Sequence, residues 1–159
     1  MNDLAIARAI YVLAVVVWIG GVAMVTTVIQ PMVRRARTPT EGQTLLEAVE
    51  RRFAWQARVM TLLAGATGFY MVARLDLWSS FLMLRYWWLD AMLAIWLLFT
   101  FMLFIAEPLF LDRWFALRAR QAPEQSFALI QRLHWALLLL SLVTLLGAVA
   151  GSHGLSFFG

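Results

Sequence analysis

Two histidines, two acids and one tryptophan stand out in a chain that otherwise offers little chemistry. His134 and His153 are its only imidazoles, and imidazole nitrogen is a common protein ligand for haem iron and for copper. If both lie on one helix, nineteen residues at 1.5 Å each hold them about 28 Å apart. That is too far for one haem to be gripped by both within a single chain. His134 then offers one axial position, to be completed by Met, Tyr or another chain. His153, in Gly151-Ser152-His153-Gly154, reads either as a metal ligand or as a solvated tail residue. Asp90 and Glu107, on one helix, stand about 25 Å apart, which excludes a carboxylate pair that cleaves glycosides or bridges a metal. Trp18 sits in the middle of an apolar run, either as core packing or as the wall of a small-molecule or cofactor pocket. The absence of cysteine rules out covalent c-type haem, thiolate zinc or iron–sulfur sites and a thiol nucleophile.

The elements that must position these residues are set by hydropathy. Of 159 residues, 63% are hydrophobic and only 14% charged, with a mean hydropathy of +0.79. One water-soluble core cannot hide that share of apolar surface, whereas runs of about 20 apolar residues cross a ~30 Å hydrocarbon layer as helices. The reading is therefore an all-α integral membrane protein, one four-span domain over 1–159, with spans at 9–33, 53–73, 86–106 and 133–152. The first run carries no charge, and with Asp3 ahead of it and no small-residue cleavage pattern behind, it is expected to remain rather than act as a removed signal. Residues 40–52 read as a short amphipathic helix on the membrane surface, with Glu47 and Arg51 spaced for an i,i+4 pair. The second span is only long enough if it includes Arg58, whose side chain is expected to snorkel outward. Pro108 is expected to kink the third span rather than end it, and Gln121-Ala122-Pro123-Glu124 reads as a turn opening the last helix.

Charge fixes the orientation. All 13 basic residues are arginine, and although the sequence pI is near 10.6, they flank apolar runs rather than forming one patch, which argues against nucleic-acid binding. Arg34, Arg35, Arg37, Arg51, Arg52, Arg113, Arg118 and Arg120 fall in the first and third connections. Arg8, Arg74 and Arg85 fall on the other side. Both termini are thus expected outside, in an antiparallel up-down four-helix bundle. Asp90 is expected to form a structural ion pair with an arginine at its level, Arg8 foremost, and Glu107 to pair with Arg58. Small-residue pairs at Gly147/Gly151, Ala64/Gly68 and Gly20-Gly21 permit close helix approach, within one chain or between copies. Trp78, Tyr86, Trp87 and Trp88 are expected to form an aromatic belt at the outer boundary.

The first span carries a further likeness. Tyr11, six mostly apolar residues, Trp18, one residue and Gly20-Gly21 resemble the opening helix of the copper resistance protein D (CopD) family and of the related HemJ-type protoporphyrinogen oxidases. In the second span Arg52-Phe53, Arg58 and Thr67-Gly68-Phe69-Tyr70-Met71 are similar to the same families' arginine-then-Thr-Gly helix. The resemblance covers mainly these two spans. It implies copper or haem handling, and a cofactor contact at Tyr11 and Trp18, but Tyr11 stands where those families carry a histidine. Tyrosinate is a known ligand of ferric haem, while a neutral phenol is a poor copper ligand.

The expectation is a CopD/HemJ-like protein of a bacterial-type inner membrane, handling copper or haem or serving as an accessory subunit of a membrane redox assembly, and more a carrier or subunit than an enzyme. Its candidate cofactor residues are His134, Tyr11 and Trp18, and its candidate metal ligands His134 and His153. The alternatives are a haem-dependent porphyrinogen oxidase and a cofactor-free assembly subunit, with haem b, copper or no cofactor as the corresponding contents. The expected partners are the lipid bilayer, a second copy or a larger membrane complex, and no nucleic acid.

Overall fold

The computed structural model describes residues 2–35, 39–111 and 123–153. Among them all regular structure is helical, in four helices joined by short connections. Helix α1, Asn2–Arg34, is α-helical over Asn2–Met24, opens into one π-helical turn at Val25–Ile29 and closes with Gln30–Arg34. Helix α2 runs unbroken from Pro39–Arg74. Two 3₁₀ turns, Leu77–Ser80 and Leu84–Tyr86, lead into α3, which is α-helical over Trp87–Phe101 and π-helical over Met102–Leu111. Helix α4 is Pro123–Ser152.

The two π segments have one cause. A proline inside a helix donates no N–H, and its ring collides with the carbonyl four residues earlier. Widening the turn to i+5 bonding before Pro31 relieves the collision, and the Gln30 N–H accordingly bonds the Val25 carbonyl. Pro108 lies within the second π segment. The helix continues through it, as expected of a distortion rather than a stop.

The amphipathic segment and the second span are one helix. Between Gly42 and Gly65 the sequence carries neither Gly nor Pro, and Glu, Leu, Ala and Arg there all favour helix. A change in hydropathy does not end a helix when nothing in the backbone does. Three helices, Asn2–Arg34, Leu84–Ala106 and Ala128–Ser152, are long and apolar enough to cross a membrane. Helix α2 is not among them: Arg58 and Gln56 dilute the half that the sequence marked as a span. The Glu47–Arg51 and Glu107–Arg58 pairs fall on side chains outside the described residues.

The contacts show how the helices lie together. Asp3 at the start of α1 meets Tyr70 and Arg74 at the end of α2, while Gly21 faces Phe53, so α1 and α2 run in opposite directions. Trp87 and Trp88 at the start of α3 cover Gly147 and Gly151 near the end of α4, so these two helices are antiparallel as well. All four helices contribute to the core, formed by Trp18, Val22, Ala57, Phe99 and Leu138. Trp18 is 4% exposed and meets Phe99 edge-on, centroids 4.6 Å apart, an arrangement worth about 0.5–1.5 kcal/mol beyond the area it buries.

The Gly147/Gly151 spacing is thus used inside the chain, where each glycine makes room for an indole. Trp87 and Trp88 are half-buried keys, whereas Trp78 is exposed. Gly20 has no neighbour within 4 Å of where a side chain would begin.

Candidate functional site

Geometry separates the residues that the sequence placed together. Trp18 belongs to the core. Tyr11 lies two turns away along α1, its ring over Gly68 and its hydroxyl donated to the Met92 sulfur at 3.4 Å. A thioether is a weak acceptor, so this contact orients the phenol more than it binds it. Tyr11 and Trp18 both face α3, but His134 is one turn beyond Leu138 on α4, on the far side of the core from Tyr11. Among the described residues, Tyr11 and His134 thus stand at different levels of the helices.

His134 lies on the inward stripe of α4 with Leu138 and Ser141, both buried, and is itself half-buried. Its Nδ1 is 3.0 Å from the Ile130 carbonyl. A carbonyl can only accept, so Nδ1 carries the proton, and in the neutral ring Nε2 keeps its lone pair. This is the tautomer in which imidazole binds a metal through Nε2, with the other nitrogen held by a backbone carbonyl. His153 repeats the arrangement, with Nδ1 2.8 Å from the Val149 carbonyl, but it is exposed at the end of α4. The two histidines stay at opposite ends of one helix and share no ligand. No group of three His, Cys, Asp or Glu side chains suited to a metal ion occurs among the described residues.

Asp90 is not paired with Arg8. Both of its carboxylate oxygens accept the Leu82 N–H, each at 3.2 Å, across the turn that leads into α3. Leu82 holds φ 64°, a left-handed conformation that costs a branched aliphatic residue about 1–2 kcal/mol. A charge-assisted bond to its N–H offsets part of that cost. Leu82 is 92% exposed, so the conformation is kept by the backbone and not by side-chain packing. Among the described residues the ion pair at this end joins Arg74 to Asp3 at 3.0 Å, with the Tyr70 hydroxyl donating to the same Asp3 oxygen at 2.7 Å.

Arg58 makes a contact that its sequence position does not announce. Its Nε donates to the Leu103 carbonyl at 3.1 Å, across the α2–α3 interface. In a π-helix the Leu103 carbonyl looks to the N–H five residues on, and that residue is Pro108, which has none. The guanidinium thus satisfies an acceptor that the proline strands, which matters because an unbonded carbonyl is costly in an apolar interior.

Other polar contacts were not visible in advance. The Trp96 indole donates to the Thr61 carbonyl at 2.9 Å, covers Gly65 and meets Phe69 edge-on at 5.4 Å. Gln30, Thr26 and Thr61 are fully buried. Only Pro31 and Pro108 signalled that the helices would be interrupted near such groups. The chain matches no protein-family model, and no curated protein or solved structure is significantly similar to it.

Proposed function

We propose that the chain is a four-span inner-membrane protein of the CopD/HemJ-like kind, arranged as an up-down bundle with both termini on the outer side. In this reading it handles copper or haem or serves as an accessory subunit of a membrane redox assembly. Helix α2 supplies the fourth crossing, its arginine count offset by the Arg58–Leu103 contact inside the bundle. The observation that carries the reading is His134: a half-buried imidazole with Nδ1 bonded to Ile130 and Nε2 left as the ligating atom.

His134 would hold a haem through Nε2, and the haem would supply one-electron redox chemistry. The chain's own contribution is to fix the imidazole's tautomer and to hold it on the inward face of α4. Copper handling stays within this reading, with His134 and His153 as the candidate metal ligands.

A cofactor-free assembly subunit is the second reading, and Trp18 favours it. Its edge-on packing against Phe99 in the four-helix core supports a structural role. One experiment separates the two. Full-length protein purified in mild detergent is examined by oxidised and dithionite-reduced visible spectra, with iron and copper quantified on the same sample. A Soret band with near-stoichiometric iron, lost in His134→Ala and kept in His153→Ala, is the expected result. Colourless, metal-free protein overturns haem handling and leaves the assembly subunit.

A further inference from the structure

Helices α1 and α3 are broken at the same height. Tyr11 meets Met92 and Trp18 meets Phe99 with a common offset of 81 residues. The two helices therefore run side by side in one direction, and the π turn Val25–Ile29 stands level with the π segment Met102–Leu111. The two breaks have the same chemical problem and different local answers. In α3 the carbonyl stranded by Pro108 takes a bond from Arg58.

In α1 the i+5 spacing aims the Thr26 carbonyl at Pro31, which again has no N–H. The Thr26 hydroxyl does not help, because it donates backward to the Val22 carbonyl at 2.7 Å. One turn on, the Gln30 side chain is fully buried, and neither its Nε2 nor its Oε1 has a hydrogen-bond partner. An amide left dry in such a place is expensive, and buried polar groups in folded proteins are bonded to protein or to ordered water.

The chemistry of the missing partner follows from the groups it must serve. Gln30 presents a donor and an acceptor, and the Thr26 carbonyl adds a second acceptor. A bare cation would face the amide N–H, and an anion would face two carbonyl-type oxygens. A small neutral molecule that both donates and accepts satisfies all three. We propose that the Thr26–Gln30 break is a buried hydration site, in which water bridges the Gln30 amide and the carbonyl stranded by Pro31. It gives α1 what Arg58 gives α3, and it depends on neither reading of the cofactor.

The test uses the full-length, ¹⁵N-labelled chain in phospholipid vesicles and water-edited solid-state NMR. The Gln30 side-chain amide is assigned by its loss in Gln30→Met; if that variant does not fold, Gln30→Asn moves the signal and assigns it instead. Asn2, exposed and the sole asparagine, is the wet reference. The Trp96 indole, bonded to Thr61, is the dry one. Polarisation reaching Gln30 from water at a rate within about threefold of Asn2 is the expected result. A build-up as slow as that of Trp96, or transfer from lipid chains instead of water, overturns the proposal. Thermal unfolding gives an independent readout: Gln30→Met lowers the midpoint if water is bound, since the stranded carbonyl loses its bridge. A raised midpoint, the signature of removing a dry amide, overturns it.

Discussion

Gly65→Ala is a one-carbon change whose cost can be worked from its surroundings. A Cβ at residue 65 would lie 2.5, 2.7 and 2.8 Å from Cζ2, Cε2 and Nε1 of Trp96, where carbon atoms settle at about 3.5–4.0 Å. The indole must therefore retreat by roughly 1 Å, and it is a rigid ring pinned by a 2.9 Å bond to the Thr61 carbonyl and by Phe69. Overpacking of this kind costs about 1–3 kcal/mol, and losing the indole bond adds about 0.5–1.5 kcal/mol. Against this, Gly→Ala in a helix gains about 1 kcal/mol of intrinsic propensity. The net expectation is a loss of about 1–3 kcal/mol.

Gly20→Ala carries the same intrinsic gain with nothing within 4 Å to meet it, so it isolates the steric part. The assay is reversible unfolding in mixed micelles, followed by circular dichroism, on both variants and on Gly65→Ala with Trp96→Leu. Truncating the indole empties the space the methyl needs, so most of the cost of Gly65→Ala should vanish in that background, as a coupling of about 1–3 kcal/mol. The reasoning fails if Gly65→Ala is as mild as Gly20→Ala, or if its cost is undiminished when combined with Trp96→Leu.

Two further outcomes follow from the polar contacts. Arg58→Met should destabilise the fold by about 1–3 kcal/mol, because the Leu103 carbonyl is left without a donor, and Pro108→Ala, which restores an N–H to that region, should recover part of the loss in the same unfolding assay. Leu82→Gly should raise stability by about 1 kcal/mol, since an exposed side chain is given up and a left-handed φ is relieved; Asp90→Ala should instead loosen the turn and speed tryptic cleavage at Arg85, whereas Asp90→Asn, keeping one acceptor, should change it little.

Sequence reading located the apolar helices well because long uncharged runs leave few options. It also identified Pro108 as a distortion within a helix. It divided Pro39–Arg74 in two because it followed hydropathy, and the backbone there contains nothing that would break it. At the candidate site, the sequence offered His134 as a candidate ligand but not its contact with a carbonyl four residues back. Asp90 has a partner other than the one its charge suggested. Charge arithmetic pairs acids with arginines, but here the N–H of a left-handed residue, Leu82, takes the Asp90 carboxylate, and the Arg58 contact with the Leu103 carbonyl was likewise not legible in the sequence. In the sequence Gln30 reads, with Pro31, only as a break near the end of the first apolar run, and its burial becomes visible only in three dimensions.

The two ends of the α3–α4 pair differ in mechanical character. Where Trp87 and Trp88 sit over Gly147 and Gly151, rigid rings interlock with backbone and leave little freedom to slide. Toward the other end, α1 and α3 both pass through level π segments, where helical pitch is already altered. A bilayer thinner or thicker than the protein's apolar height imposes a strain of fractions of a kcal/mol per ångström. In the membrane-spanning reading proposed above, that strain would be absorbed where the helices yield most easily, so the π-helical end would tilt and stretch while the tryptophan-keyed end keeps its shape.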